Sequence, residues 1–226
     1  MKHDYWQARW DEGRIGFHLA EVNHRLVEHF DALGLEPGGR VFVPLCGKSV
    51  DMAWLLAKGQ RVVGIDVVEK AVADFHSELA LPAKRFDDGW FKIYRTAQSV
   101  LFVGDLFDLT PEVAGPVDVV WDRASLVALP AETRRRYAPH LMRFLAPGAR
   151  MLLVAFEYDQ NRTDGPPFSV PEAEVRDLFE PYATVEGRGR FDVTAATKNL
   201  TEKGVTKVEE TVYLLVRNDR SIEGRP

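Results

Sequence analysis

Apolar positions along the chain switch repeatedly between two periods. Val22, Leu26, Phe30 and Leu33 recur at helical spacing, and Gly34 follows as a stop, which predicts an amphipathic helix. After the turn Glu36-Pro37-Gly38-Gly39 comes Val41-Phe42-Val43-Pro44-Leu45, a short unbroken apolar run of the kind buried on both faces of a sheet. Ser49 stands where it can cap a helix reaching about Lys58, which Gly59 ends. Arg61-Val62-Val63-Gly64-Ile65 predicts a second buried strand ending at Asp66, and Val72, Phe75 and Leu79 mark the helix after it. Strand, helix, strand, helix over 41–79 implies parallel strands joined by right-handed crossovers.

The alternation continues. Strands are predicted at 100–103, 117–121 and 151–156, with a helix over 132–145 between the last two. The segment 86–95 is rich in aromatics without helical period and reads as one inserted strand, in a hairpin with 100–103. Ser169 and Glu172 have capping-box spacing and open a helix through Val175, Leu178 and Phe179. A final strand is predicted at 208–216, while the polar segment 187–204 is left without an assignment. The pattern as a whole is that of a doubly wound α/β fold with a mostly parallel sheet.

Length and composition narrow the class. With 226 residues, 46% hydrophobic and 28% charged, the chain fits one large soluble α/β domain, expected over 1–218 with 1–35 as a helical cap. No apolar run approaches the roughly 20 residues that span a bilayer. Met1-Lys2-His3-Asp4-Tyr5-Trp6 lacks a signal peptide's apolar core. Cys46 is the single cysteine, so no internal disulfide forms, and a cytoplasmic location is expected. The net charge of −5 and a lone basic triplet, Arg134-Arg135-Arg136, read as a solvated helix face, speak against nucleic-acid binding. No metal or membrane is expected, and a monomer is expected because no exposed apolar helix remains unassigned. Ile222-Glu223-Gly224-Arg225 reads as a protease-cleavage linker, making 219–226 a tail outside the fold.

Candidate chemistry lies where the predicted strands end, since open parallel sheets bind ligands beyond their carboxyl edges. The first strand runs into Leu45-Cys46-Gly47-Lys48-Ser49, and the second ends in Asp66, 19 residues after Gly47. A glycine turn followed at that distance by an acid is the signature of an adenosine ribose, whose two hydroxyls one carboxylate accepts together. The turn lacks the three glycines of a dinucleotide fingerprint, and Phe42 stands where a Walker motif needs its first glycine. A cofactor with adenosine but no phosphate fits: S-adenosyl-L-methionine. Asp105 and Leu106 follow the third strand, at the place of an adenine edge and face. Trp10, in an aromatic N-terminal segment with Tyr5, Trp6 and Phe17, is a candidate lid over a sulfonium, whose contact with the ring face is worth roughly 0.5–2 kcal/mol.

The chain resembles the thiopurine S-methyltransferases, especially their bacterial members. The resemblance rests on Tyr5-Trp6 through Trp10, Ile15-Gly16-Phe17-His18, Pro44-Leu45-Cys46-Gly47-Lys48-Ser49, Phe107-Asp108-Leu109, Trp121-Asp122-Arg123-Ala124 and Gly165-Pro166-Pro167-Phe168. It implies a Rossmann-like S-adenosylmethionine-dependent methyltransferase with one antiparallel strand near the C-terminus. It also implies that Trp10, Leu45, Asp66 and Arg123 contact the cofactor, that Arg123 also reaches the substrate, and that Phe17, His18, Tyr158 and Phe168 border the acceptor pocket. The family usually has glutamate where this chain has the shorter Asp66. Animal members carry a second substrate-facing arginine late in the chain, near Arg188, Arg190 and Lys198 here.

The implied reaction is in-line displacement of the methyl group by the sulfur of an aromatic or heterocyclic thiol. Such thiols ionise near neutral pH, so Arg123 would orient an anion without a dedicated base, with Asp122 and His18 as the available proton acceptors. Methylation of selenium or tellurium oxyanions, a non-catalytic adenosine-cofactor module and a dinucleotide oxidoreductase remain as alternatives.

Overall fold

The computed structural model describes residues 3–222, so Glu223, Gly224 and Arg225 of the linker motif lie outside the described residues. The chain forms two compact units, one up to Trp121 and one from Asp122 onward.

The first unit opens with helix α1 (His3–Asp11) and helix α2 (His24–His29), which passes into a 3-10 turn at Phe30–Leu33 and stops at Gly34 with φ 60°. Strand β1 (Arg40–Val43) leads through the glycine turn to α3 (Val50–Ala57), then β2 (Arg61–Asp66) and α4 (Glu69–Glu78). Ser49 caps α3 as its position predicts, its side chain accepting from the Asp51 N–H. Leu79 falls outside the expected apolar stripe: it ends α4 and is 39% exposed. The segment expected as one strand is two, β3 (Lys84–Asp87) and β4 (Lys92–Arg95), reversing through Asp88 and Gly89. The Asp88 carboxylate accepts from the N–H groups of Trp90 and Phe91, a local turn device that the aromatic content masked. Strand β5 (Ser99–Val103), the short α5 (Pro111–Ala114) and β6 (Val117–Arg123) follow.

Strands of this unit lie in the order β3-β4-β5-β2-β1-β6. β1 is parallel to β2 and β6, β2 is parallel to β5, and only β4 runs against its neighbours. The chain leaves β1 first to one side and later returns to the other, so the order switches at β1, where a crevice forms beyond the strand ends. Buried Asp51 pins the approach to this crevice: it accepts from the Asn23 N–H (2.7 Å) and the Trp121 indole N–H (3.0 Å).

The second unit contains α6 (Ala131–Met142), β7 (Leu145–Glu157), α7 (Glu172–Phe179), β8 (Ala183–Asp192), α8 (Lys198–Thr201) and β9 (Glu209–Arg217). β9 lies between β7 and β8 and is antiparallel to both, which is the reversed strand expected near the C-terminus. The polar stretch after Gly187 continues β8 to Asp192, because Gly187 and Gly189 flank a bulge and the outward face is polar. Two expectations fail here. Ser169 does not cap α7: Pro171 holds that position, and the Ser169 hydroxyl accepts from the Tyr158 N–H (3.0 Å). Arg134 is not solvated: it is 4% exposed, forks onto Glu174 (2.7 and 2.9 Å) and donates to the Leu129 carbonyl (2.7 Å).

Fully buried Asp122 gives the unit a polar anchor. Burial pushes its carboxyl up to about 6, against hydrogen bonds from the Tyr137 hydroxyl (2.7 Å) and the Leu126 N–H (3.2 Å). Tyr137→Phe leaves that carboxylate short of a donor, so a loss of about 1.5–3 kcal/mol is expected in urea unfolding at pH 7. The loss should shrink at pH 5, where the carboxyl is protonated in the fold. Equal losses at both pH values would show that the hydroxyl does not serve the charged form.

Candidate functional site

The chain bends sharply after β1. Leu45 takes φ 44° and Gly47 φ 52°, both in the left-handed region. A side chain on Gly47 would also place its Cβ 3.1 Å from the Trp10 ring. The turn can lie this close to β2 because Gly64 has no side chain: a Cβ there would stand 2.9 Å from the Cys46 sulfur. A lone glycine inside an apolar strand run was the available signal for this close approach. Cys46 is buried, and burial followed by the neighbouring Asp66 charge raises its thiol well above the ordinary value. It packs against the strand beneath and is no nucleophile.

Asp66, at the end of β2, is 8% exposed. One carboxylate oxygen accepts from the Gly47 N–H (2.8 Å), the other from the Val68 N–H (2.9 Å). Burial raises its pKa to about 6 in spite of these donors. Each oxygen keeps lone-pair capacity for a further donor, which two vicinal hydroxyls can supply without adding charge. Three further amides at the turn and the start of α3 are also engaged: Cys46 N–H with the Ile65 carbonyl (2.9 Å), Ser49 N–H with the Cys46 carbonyl (3.1 Å) and Met52 N–H with the Ser49 carbonyl (3.1 Å). A diphosphate needs several free amides pointing at it, and those of Cys46, Gly47, Ser49 and Met52 already have acceptors within the chain. The residues therefore fit an adenosine cofactor without phosphates.

Trp10 is 4% exposed and packs with Val68 and Ala71, alongside Trp6, Ile15 and Phe17. Phe17 meets Trp10 edge-on at 5.8 Å between centroids, and the His18 N–H donates to the Ile15 carbonyl (2.8 Å). Asp105 follows β5, next to β2, where the Gly104 N–H donates to the Asp66 carbonyl (3.0 Å). Its carboxylate accepts from the Phe107 N–H (2.9 Å), capping a 3-10 turn that buries Leu106. Trp10, Phe17, Gly47, Asp66 and Asp105 thus gather at one end of the first unit's sheet.

In the second unit, Arg123 is partly buried and precedes Ala124, whose φ of 64° turns the chain sharply. Because strand side chains alternate, interior Asp122 sets Arg123 facing the other way. Tyr158 is 8% exposed in a cluster with Leu200, Val205 and Val208, and its hydroxyl donates to the Pro167 carbonyl (2.5 Å). It stands behind the Gly165-Pro166-Pro167-Phe168 loop as a strut. Phe168 is more open: its N–H donates to the Val127 carbonyl (2.6 Å), and the Arg134 guanidinium lies 5.9 Å from its ring centroid. Arg190 faces Glu157 (3.1 Å), Glu209 (3.6 Å) and Glu172 (3.7 Å), and Arg188 pairs with Glu186 (2.8 Å).

A switch-point crevice with a turn of one glycine instead of a dinucleotide site's three, and an acid closing the next strand, marks the class of S-adenosylmethionine-dependent methyltransferases. The Rossmann-like fold agrees. A protein whose structure describes the conversion of a disulfide bond into a thioacetal group during echinomycin biosynthesis superimposes with a TM-score of 0.67, at 20% identity over 98% of this chain and 94% of that one. The Burkholderia thailandensis 1,6-didemethyltoxoflavin-N1-methyltransferase, solved with S-adenosylhomocysteine, gives 0.63 at 16% identity, over 96% and 87%.

The chain belongs to the thiopurine S-methyltransferase family, whose model matches residues 1–218. A thiopurine S-methyltransferase of Azotobacter vinelandii is 44% identical over 96% of this chain and all of its own length. No described helix is long and apolar enough to cross a membrane.

Proposed function

We propose that residues 1–218 act as one methyltransferase domain that methylates the sulfur of aromatic or heterocyclic thiols, thiopurines among them, with S-adenosyl-L-methionine as donor. The observation that carries this reading is Asp66 bound to the Gly47 N–H at 2.8 Å, in a turn where the Cys46 and Ser49 amides are also engaged. Bound S-adenosylmethionine supplies a methyl group made electrophilic by a sulfonium.

Asp66 accepts the ribose hydroxyls, and Asp105 and Leu106 border the adenine. Trp10 presents its ring to the cation and Leu45 lines the turn. Phe17 and Phe168 give the acceptor apolar faces, with His18 beside Phe17 and Tyr158 bracing the loop. Arg123 pairs with the anionic acceptor and orients it through its planar fork. A heterocyclic thiol ionises near neutral pH, so no side chain has to act as base. Asp122 is excluded from that role by its complete burial. The main gain is alignment, worth effective molarities of about 10⁵–10⁸ M. The single, buried cysteine supports a cytoplasmic enzyme, and we take the working unit to be a monomer.

The test sets a heterocyclic thiol and selenite side by side with radiolabelled methyl donor. The S-methylated thiol is expected to form at least about tenfold faster, a barrier difference of about 1.4 kcal/mol. The reverse order would assign the enzyme to oxyanions. Saturable S-adenosylhomocysteine binding with no methylated product from either would make the chain a binding module.

A further inference from the structure

The first unit has a second opening, at the sheet edge opposite the glycine turn. A cavity of about 380 Å³ lies at the start of β1, β2 and β5, and Arg40, Arg61 and Arg95 line it. Arg40 and Arg61 are register partners in the parallel pair β1–β2, and Arg95 ends β4 at the same edge. Five strand steps separate Arg61 from Asp66, about 17 Å at the usual rise. This cavity is therefore distinct from the cofactor turn.

The charge balance of the cavity is incomplete. Among the described residues Arg61 and Arg95 make no ion pair, and both are exposed. Arg40 is partly buried and its guanidinium donates to the Ala114 carbonyl (2.7 Å). Burial depresses its pKa, Asp118 acts in the opposite sense, and the charges of Arg61 and Arg95 depress it further. The Asp118 carboxylate accepts from the Arg40 backbone N–H (2.7 Å), and it is the one acid that acts on the Arg40 guanidinium against the two neighbouring arginines. Three guanidinium groups thus feel one another across a concave space with little to neutralise them. Elsewhere this acidic chain interleaves its charges: Arg176 pairs with Glu172 and Glu180, and Lys92 with Glu69.

We propose that this cavity is a second binding site, for a small organic anion bearing two or more phosphate or carboxylate oxygens. Guanidinium forks match such oxygens in pairs. Val100 and Val113 among the lining residues offer apolar surface for a carbon skeleton. The volume suits a metabolite-sized ligand. A nucleic acid would need a broad basic surface, and the net charge of −5 opposes that partner.

The test is calorimetric titration of the full chain with pyrophosphate and, separately, citrate at fixed ionic strength. Saturable one-site binding is expected for at least one of them, with Kd below about 1 mM, and the stronger arm tells phosphate from carboxylate. The Arg61→Ala/Arg95→Ala double variant should raise that Kd at least about tenfold. Its affinity for S-adenosylhomocysteine should stay within about twofold of wild type, which certifies the fold. The probe should also raise Tm in wild type and leave the variant unmoved. Absence of saturable heat with both probes overturns the proposal. So does equal binding by the variant, or competition between the probe and S-adenosylhomocysteine.

Discussion

Asp66→Ala is expected to weaken S-adenosylmethionine and S-adenosylhomocysteine alike, by about 10²–10³-fold in calorimetric Kd. A hydrogen bond to a charged group contributes about 1.5–3 kcal/mol, and the carboxylate takes two from the ribose. The substitution also strips the Gly47 and Val68 N–H groups of their acceptor, so the turn loses its clamp. Asp66→Glu restores a carboxylate on a longer arm and should keep affinity within about tenfold of wild type. The pH dependence follows from a folded pKa near 6 and an ordinary value of 3.8. Affinity should be flat above about pH 7 and fall as the carboxyl protonates through about 6. The effect on the unliganded fold has the opposite sign. A raised folded pKa means the native state binds more protons between 3.8 and 6, so this group's contribution is fully present below 3.8 and is lost as pH rises through 6. Affinity unchanged in Asp66→Ala would remove the ribose assignment.

Arg123→Ala should lower kcat/KM for the thiol by about 10²–10³-fold while changing S-adenosylhomocysteine affinity by less than about tenfold. In the proposed site the guanidinium meets an anion whose charge must stay aligned with the methyl carbon, and each charge-assisted hydrogen bond of a bidentate pair is roughly twice as strong as a neutral one. Arg123→Lys keeps the charge but loses the planar fork, so it should recover part of KM and less of kcat. Equal losses in cofactor and acceptor binding would assign Arg123 to the cofactor alone.

The hydrophobic pattern carried most of the first unit. Ser49, Gly59, Asp66 and Gly34 all stand at the element ends that their chemistry predicts, because caps and stops are local interactions. The inserted segment was harder to read. β3 is exposed at every position, and a strand at a sheet edge has no apolar alternation to reveal it. Ser169 illustrates the limit of a spacing rule: its hydroxyl has a stronger claimant in Tyr158, 11 residues away. Arg134 is a second case, a basic helix position whose partner Glu174 lies 40 residues away. At the site, the adjacency of Gly47 and Asp66 was legible from spacing. The inward turning of the Cys46, Ser49 and Met52 amides was not, because backbone direction leaves no mark on residue type. Tyr137 beneath Asp122 was equally hidden, since a tyrosine in a helix reads as packing.

The position of Cys46 bears on how such an enzyme survives its own reagent. In the proposed site, a methyl donor reactive toward sulfur would sit on a turn that contains the chain's single sulfhydryl. Only the ionised form of that group attacks carbon. Seclusion from water and the negative neighbour on β2 keep it in the un-ionised form, wedged over the bare Cα of Gly64. With the donor bound as proposed, the fold would protect the catalyst from self-alkylation and leave the acceptor without an internal rival.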